Sequence, residues 1–125
     1  MYRKIILLMV LLSGYVSAHE WTPTYPKLEY SFLNNIMVTK MNLYNNRKDV
    51  EYYEVSVYDK DWIPIKFSVG EGKIVHVAYL ERKSVDVYIR KKDERRVVYV
   101  CSQSKSRVGE KGVTFLSSRI CSKIK

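Results

Sequence analysis

The sequence predicts an all-β fold, an antiparallel β-sandwich of about seven strands. Three observations predict it. Short β-branched and tyrosine-rich stretches recur at regular spacing with turn residues between them. The chain's two cysteines, Cys101 and Cys121, fall in two such stretches near its end. No helical period of useful length follows the opening residues. A small closed barrel is the alternative architecture, and the alternation between Val50 and Arg90 does not separate the two.

The first eighteen residues read as a signal peptide rather than as part of the fold. Arg3 and Lys4 make a basic start, Ile5–Leu12 is an unbroken apolar run, and Val16-Ser17-Ala18 offers small residues for cleavage. An uncleaved anchor is the alternative, but the apolar run is short for a bilayer. Cleavage after Ala18 leaves one domain, residues 19–125, of 107 residues. No later run is apolar enough for stable membrane insertion. Export puts the cysteines in an oxidising compartment and favours a disulfide over a metal site. Loss of Arg3 and Lys4 lowers the formal charge from +9 to +7. Secretion argues against nucleic acid, so an acidic surface or the charge-poor edge of a partner protein suits this charge better.

Residues 19–25 hold Trp21, Pro23 and Tyr25 without periodicity and read as a leader arm. Pro26–Phe32 is a candidate first strand, with Leu28, Tyr30 and Phe32 on one face. Asn34-Asn35 signals a turn. Ile36–Tyr44 follows, with Met37, Met41 and Leu43 on one face and Val38 and Lys40 on the other. Asn45–Asp49 is a second turn. Val50–Tyr58 alternates most clearly: Tyr53, Val55 and Val57 on one face, Tyr52, Glu54, Ser56 and Tyr58 on the other. Asp59-Lys60-Asp61 turns the chain. Pro64 confines Trp62–Val69 to an edge or an irregular strand. Gly70-Glu71-Gly72 is a turn before the strand Lys73–Leu80. Glu81-Arg82-Lys83 turns again, Ser84–Arg90 points Val85, Val87 and Ile89 inward, and Lys91–Arg96 is a charged loop.

Val97–Ser102 and Val113–Ile124 then form a hairpin. If Cys101 opposes Cys121, the numbers of every opposed pair sum to 222, and the pairing centres on Lys111. Gly109 and Gly112 flank that point and supply the backbone freedom a reversal needs. Cysteine spacing and turn chemistry therefore agree. A disulfide closing a loop of this length stabilises by about 3 kcal/mol in the chain-entropy account. In this register Arg119 and Lys123 share a polar face with Cys121. Leu116, Ile120 and Ile124 take the core face, with Val98 and Val100.

No constellation for catalysis stands out, and the chain reads as a non-enzyme without cofactor or metal. His76 lies between Val75 and Val77, where a strand-face histidine is the simpler reading, and His19 would be the new N-terminus. No Gly-x-Ser-x-Gly and no phosphate-binding glycine loop occur. Asp59 and Asp61 lack the rest of a calcium loop. The cysteines could join His19 and His76 in a metal site only without the paired spacing such sites use.

The order of the pieces resembles the N-terminal, immunoglobulin-like domain of the periplasmic chaperones of the chaperone–usher pilus pathway. The resemblance is carried by Tyr25-Pro26-Lys27-Leu28-Glu29-Tyr30, Leu43-Tyr44-Asn45-Asn46, Tyr52-Tyr53-Glu54-Val55 and Tyr79-Leu80-Glu81-Arg82-Lys83-Ser84-Val85. It continues in Val98-Tyr99-Val100-Cys101 and Phe115-Leu116-Ser117-Ser118-Arg119-Ile120. It covers most of residues 19–125 and rests on pattern and order rather than on a rare motif.

The resemblance implies an immunoglobulin-like sandwich and a periplasmic location. It also implies protein subunits of a pilus or envelope assembly as partners, held by edge-strand pairing. Members of that family lend their last strand to an unfinished subunit, here through Val113 and Phe115. They hold its terminal carboxylate with two cations, matched by Lys27 on the first strand and by Arg119 or Lys123 on the last. The family carries a second domain, and Val113 and Phe115 are followed by Ser117, so the donated apolar row is short. The alternative function is a structural immunoglobulin-like subunit of an envelope or appendage complex.

Overall fold

The structure is a computed structural model that describes residues 19–105 and 117–124. The expected signal peptide and the reversal at Val108–Gly112 lie outside the described residues, as do Val113, Phe115 and Leu116. Among the described residues nine strands form two antiparallel sheets. In the first, β1 (Glu20–Thr22) and β2 (Glu29–Tyr30) both pair with β3 (Ile36–Tyr44). β3 pairs along its whole length with β7 (Arg82–Arg90), and β7 pairs with β5 (Phe67–Val69). The second sheet runs β6 (Ile74–His76), β4 (Tyr52–Tyr58), β8 (Tyr99–Lys105), β9 (Arg119–Lys123). This order, with a strand crossing between the sheets, is that of an immunoglobulin-like sandwich and not of a closed barrel.

The period-two pattern explains the core. Met41, Leu43, Val85, Val87 and Ile89 from the first sheet meet Tyr53, Val55, Val57 and Val100 from the second. Each fully buried aliphatic side chain of this kind stabilises by about 2 kcal/mol. Ile120 and Ile124 pack at the margin, on the face that the 222 register gives them. That register is the observed one: Tyr99 opposes Lys123, Cys101 opposes Cys121 and Gln103 opposes Arg119.

Several expected boundaries shift. Residues 20–22 are a strand rather than a free arm, because Trp21 is 4 % exposed and its indole N–H donates to the Val100 carbonyl at 3.0 Å. A single tryptophan between two exposed neighbours leaves no periodicity to read. The candidate strand Pro26–Phe32 shrinks to Glu29–Tyr30, and its alternation marks no buried face, since Tyr30 and Phe32 are exposed. Arg82 and Lys83 belong to β7 rather than to a turn, and Leu80 makes the reversal at φ 63°.

The stretch after β4 is split. Asp59 Oδ1 accepts from the N–H groups of Asp61 and Ile63, and the chain returns through a bridge of Tyr58 with Pro64. It then crosses to the first sheet as β5 and comes back as β6 on the same side of β4. Ile63 O and Ile65 N–H face β4, so Pro64 sits where its missing N–H would point away from the sheet and costs no ladder bond. The charged loop after β7 contains a 3-10 turn, Lys91–Asp93, in which buried Asp93 holds both Arg90 and Arg96.

Candidate functional site

The chemistry-bearing residues gather in two places. The first is interior, where β3 ends. Asn45 Nδ2 donates to the carbonyls of Val50 (2.7 Å) and Val77 (2.8 Å), and Asn45 Oδ1 accepts from Tyr53 Oη (2.6 Å) and the Arg47 N–H (3.0 Å). Its backbone N–H donates to Glu81 O and its carbonyl accepts from Leu80 N–H. Every polar atom of Asn45 is used, and the starts of β4 and β7 are tied to the end of β3.

His19 lies beside this knot. Its Nε2 is 2.7 Å from Ser102 Oγ, its Nδ1 is 3.1 Å from Ser118 Oγ, and its ring leans on Tyr53 at 4.5 Å. Burial lowers its pKa to about 4; a hydrogen bond with Ser102 opposes the shift and the Arg47 charge adds to it. Burial likewise raises the Tyr53 phenol to about 12. A histidine between two serines suggests nucleophile activation, but among the described residues no carboxylate orients the ring, whose two nitrogens are taken by Ser102 and Ser118. His19 is 2 % exposed and Ser102 is fully buried, so a substrate has no way to them. The arrangement ties β8 and β9 to the residue before β1. His76, the other imidazole, is exposed in β6 beside Glu51 at 3.4 Å. Among the described residues no group of three or more His, Cys, Asp or Glu is placed to hold a metal ion.

The second place is the outer face and edge of the second sheet. Ser104 N–H donates to Ser118 O and Ile124 N–H to Val98 O, so the even-numbered residues of β9 use their backbone groups on β8. Cys101 and Cys121 are therefore a non-hydrogen-bonded pair. Their Cα atoms are 4.0 Å apart, and they are joined as a disulfide. The odd-numbered residues of β9 turn their N–H and C=O groups away from β8. Thr24 O accepts the Lys123 N–H at 3.0 Å. Among the described residues nothing takes the N–H groups of Arg119 or Cys121 from that side.

The side chains on this face form a cap over the disulfide. The Trp62 indole lies flat on Tyr99, with ring centres 4.0 Å apart and planes 3° off parallel. The Arg119 guanidinium lies 4.8 Å from the Tyr58 ring and 5.1 Å from the Trp62 ring, with Nη2 4.0 Å from Cys101 Sγ. This cover is why Cys101 is fully buried although it faces outward. Trp62 takes φ 62°, a conformation that costs a bulky residue about 1 kcal/mol or more. The Asp59 cap holds the turn that imposes it. Arg119 has no carboxylate partner among the described residues, and its guanidinium has more donors than the one turned toward Cys101 Sγ.

The structure places the sequence-derived candidates unevenly. Arg119 and Lys123 are exposed on β9, and Lys27 is exposed between Pro26 and Leu28, three residues beyond the carbonyl that meets β9. Val113 and Phe115 lie outside the described residues. Trp62, Tyr58 and Tyr99 were not foreseen as a unit. The outward parity of Tyr58 and Tyr99 was available in the sequence, but the fold-back of Trp62 depends on the Asp59 turn.

The disulfide is compatible with an oxidising, exported environment. No described helix is long and apolar enough to cross a membrane. Comparison with known protein families, with curated proteins and with solved structures finds no match.

Proposed function

We propose that this chain is an exported, periplasmic chaperone-like domain that assists assembly of pilus or envelope protein subunits by strand pairing at β9. The observation that carries the reading is the outer side of β9. Backbone groups of Arg119 and Cys121 point away from the sheet there, beside a guanidinium with no acidic partner among the described residues. Residues 19–24 run beside this edge, held at His19 by Ser118 and at Thr24 by the Lys123 N–H. Between those ties the leftover backbone groups are a template for an added strand that displaces or joins the segment. A cation at the start of β9 suits a carboxylate, such as the end of a partner chain. Arg119 is the principal cation in this reading, and Lys27 and Lys123 add positive charge near the crossing of Thr24.

Affinity capture from periplasmic extract tests it. Arg119→Ala and Lys27→Ala should each lower the yield of partner. Arg119→Pro should lower it further than Arg119→Ala, because it also removes an outward N–H while leaving the bonds to β8 intact. Retention of the partner by all three variants at the parent's level would overturn the reading. A partner that stays bound in the finished assembly would instead favour the structural-subunit reading.

A further inference from the structure

We infer that a separate part of the surface, the β2–β3 hairpin with the turn after β7, docks on an anionic membrane surface. At the hairpin Tyr30, Phe32 and Leu33 are 77 %, 85 % and 48 % exposed. Three large apolar side chains on one loop are more than scattered surface exposure. The Phe32 ring stands edge-on to Tyr88 of β7, with ring centres 6.3 Å apart, and the loop's own hydrogen bonds fix its shape. Ser31 N–H donates to Ile36 O at 3.2 Å, Ser31 Oγ donates to the same carbonyl at 2.6 Å, and the Leu33 N–H donates to Ser31 Oγ at 3.1 Å.

The second component is charge. Lys91 N–H donates to Asn35 O at 2.9 Å, which fixes the basic turn against the hairpin, and Lys91 Nζ lies 5.2 Å over the Tyr30 ring. Residues 90–96 hold five basic and two acidic side chains. Buried Asp93 takes Arg90 and Arg96 together, so the three cations left over are Lys91, Lys92 and Arg95, all exposed. Asn35, Ile36, Arg90, Lys91 and Lys92 line an open cleft of about 720 Å³ between the two loops.

An apolar tip ringed by lysines is the composition that enters the headgroup region while its cations meet anionic lipid. A second copy of the chain does not suit this end, because a two-fold contact would set Lys91 and Lys92 against their own kind. A nucleic acid would use the cations but has no use for Leu33.

Co-sedimentation of the disulfide-bonded protein with vesicles tests the inference, using phosphatidylcholine alone and phosphatidylcholine mixed with phosphatidylglycerol. Binding should require phosphatidylglycerol and weaken with added salt. Lys91→Gln with Lys92→Gln should lower partitioning about 25-fold, at about fivefold per lysine. Phe32→Ser should lower it about tenfold. All three positions are exposed, so thermal melting should confirm unaltered folding. Arg119→Ala should bind vesicles like the parent, which separates this inference from the edge-pairing proposal. Equal binding to both vesicle types, or no effect of the lysine substitutions, would overturn it. So would tighter binding to an RNA oligonucleotide that Phe32→Ser leaves unchanged.

Discussion

The knot around Asn45 and the cap over the disulfide use similar residues to opposite ends. Both contain tyrosine, an arginine close by and a polar group against an aromatic ring. In the knot every donor and acceptor of Asn45 is matched, and His19 has a hydroxyl at each ring nitrogen. In the cap the Arg119 guanidinium lies over ring faces with one donor toward the Cys101 sulfur, and no carboxylate among the described residues takes the others. Residue type alone therefore does not mark function. Hydrogen-bonding capacity used up inside the fold makes architecture, and capacity left over at a surface makes recognition.

If the knot is architecture, removing its centre should be the most damaging single change. Asn45→Ala deletes four side-chain hydrogen bonds and strands the buried Val50 and Val77 carbonyls and the Tyr53 hydroxyl. A cost of about 4 kcal/mol is expected, read as a lower urea midpoint. A loss under about 1 kcal/mol would mean that water replaces the amide freely, and the contrast with the cap would weaken. The disulfide comes next. Cys101→Ser with Cys121→Ser should cost about 3 kcal/mol by releasing the loop of the unfolded chain, a test that reduction of the parent protein repeats.

His19 gives the knot a pH signature that the cap lacks. Its folded pKa is about 4 against 6.5 for the unfolded chain, so below pH 6.5 the unfolded state binds the proton first. Stability should be level above pH 6.5 and fall as the pH drops toward 4. The slope is about 1.4 kcal/mol per pH unit, or about 2 kcal/mol lost by pH 5. Asp49, held below the usual carboxylate range by its hydrogen bond with Arg47, adds its own loss only at more acid pH. Denaturation of parent and His19→Gln between pH 7 and pH 5 checks this. The variant should lack the slope, and an equal slope in both would remove His19 as its source.

The same contrast explains what the sequence could tell. Alternation of the kind that Tyr53, Val55 and Val57 show was available wherever one face of a strand is buried. β3, β4, β7 and β8 were therefore readable, and the two cysteines gave the register of β8 with β9. The knot was hidden because Asn45 stands among turn residues, and its burial is set by Val50, Val77 and Leu80, most of them distant in sequence. β1 was hidden because only Trp21 of its three residues is buried. For the candidate site, Arg119 and Lys123 followed from the register, whereas Trp62 needed the Asp59 turn to bring it back over Tyr99.

The smallest expected effect is the most informative about the cap. Cation–π contact at an exposed site contributes about 0.5–1 kcal/mol, so Arg119→Ala should move the urea midpoint little. Its mark should appear in fluorescence instead. The chain has two tryptophans, and Trp21 is buried with its N–H bonded to Val100 while Trp62 is about half exposed. Arg119→Ala uncovers Trp62 alone, so acrylamide should quench a larger share of the emission and the spectrum should shift to the red. Adding Trp62→Phe to both the parent and the Arg119→Ala protein should abolish that difference between them, because Trp21 does not touch the cap. If Arg119→Ala instead destabilised the fold as Asn45→Ala does, the guanidinium would be a structural tie. Its donors would then be committed to the sandwich and not held out for a partner.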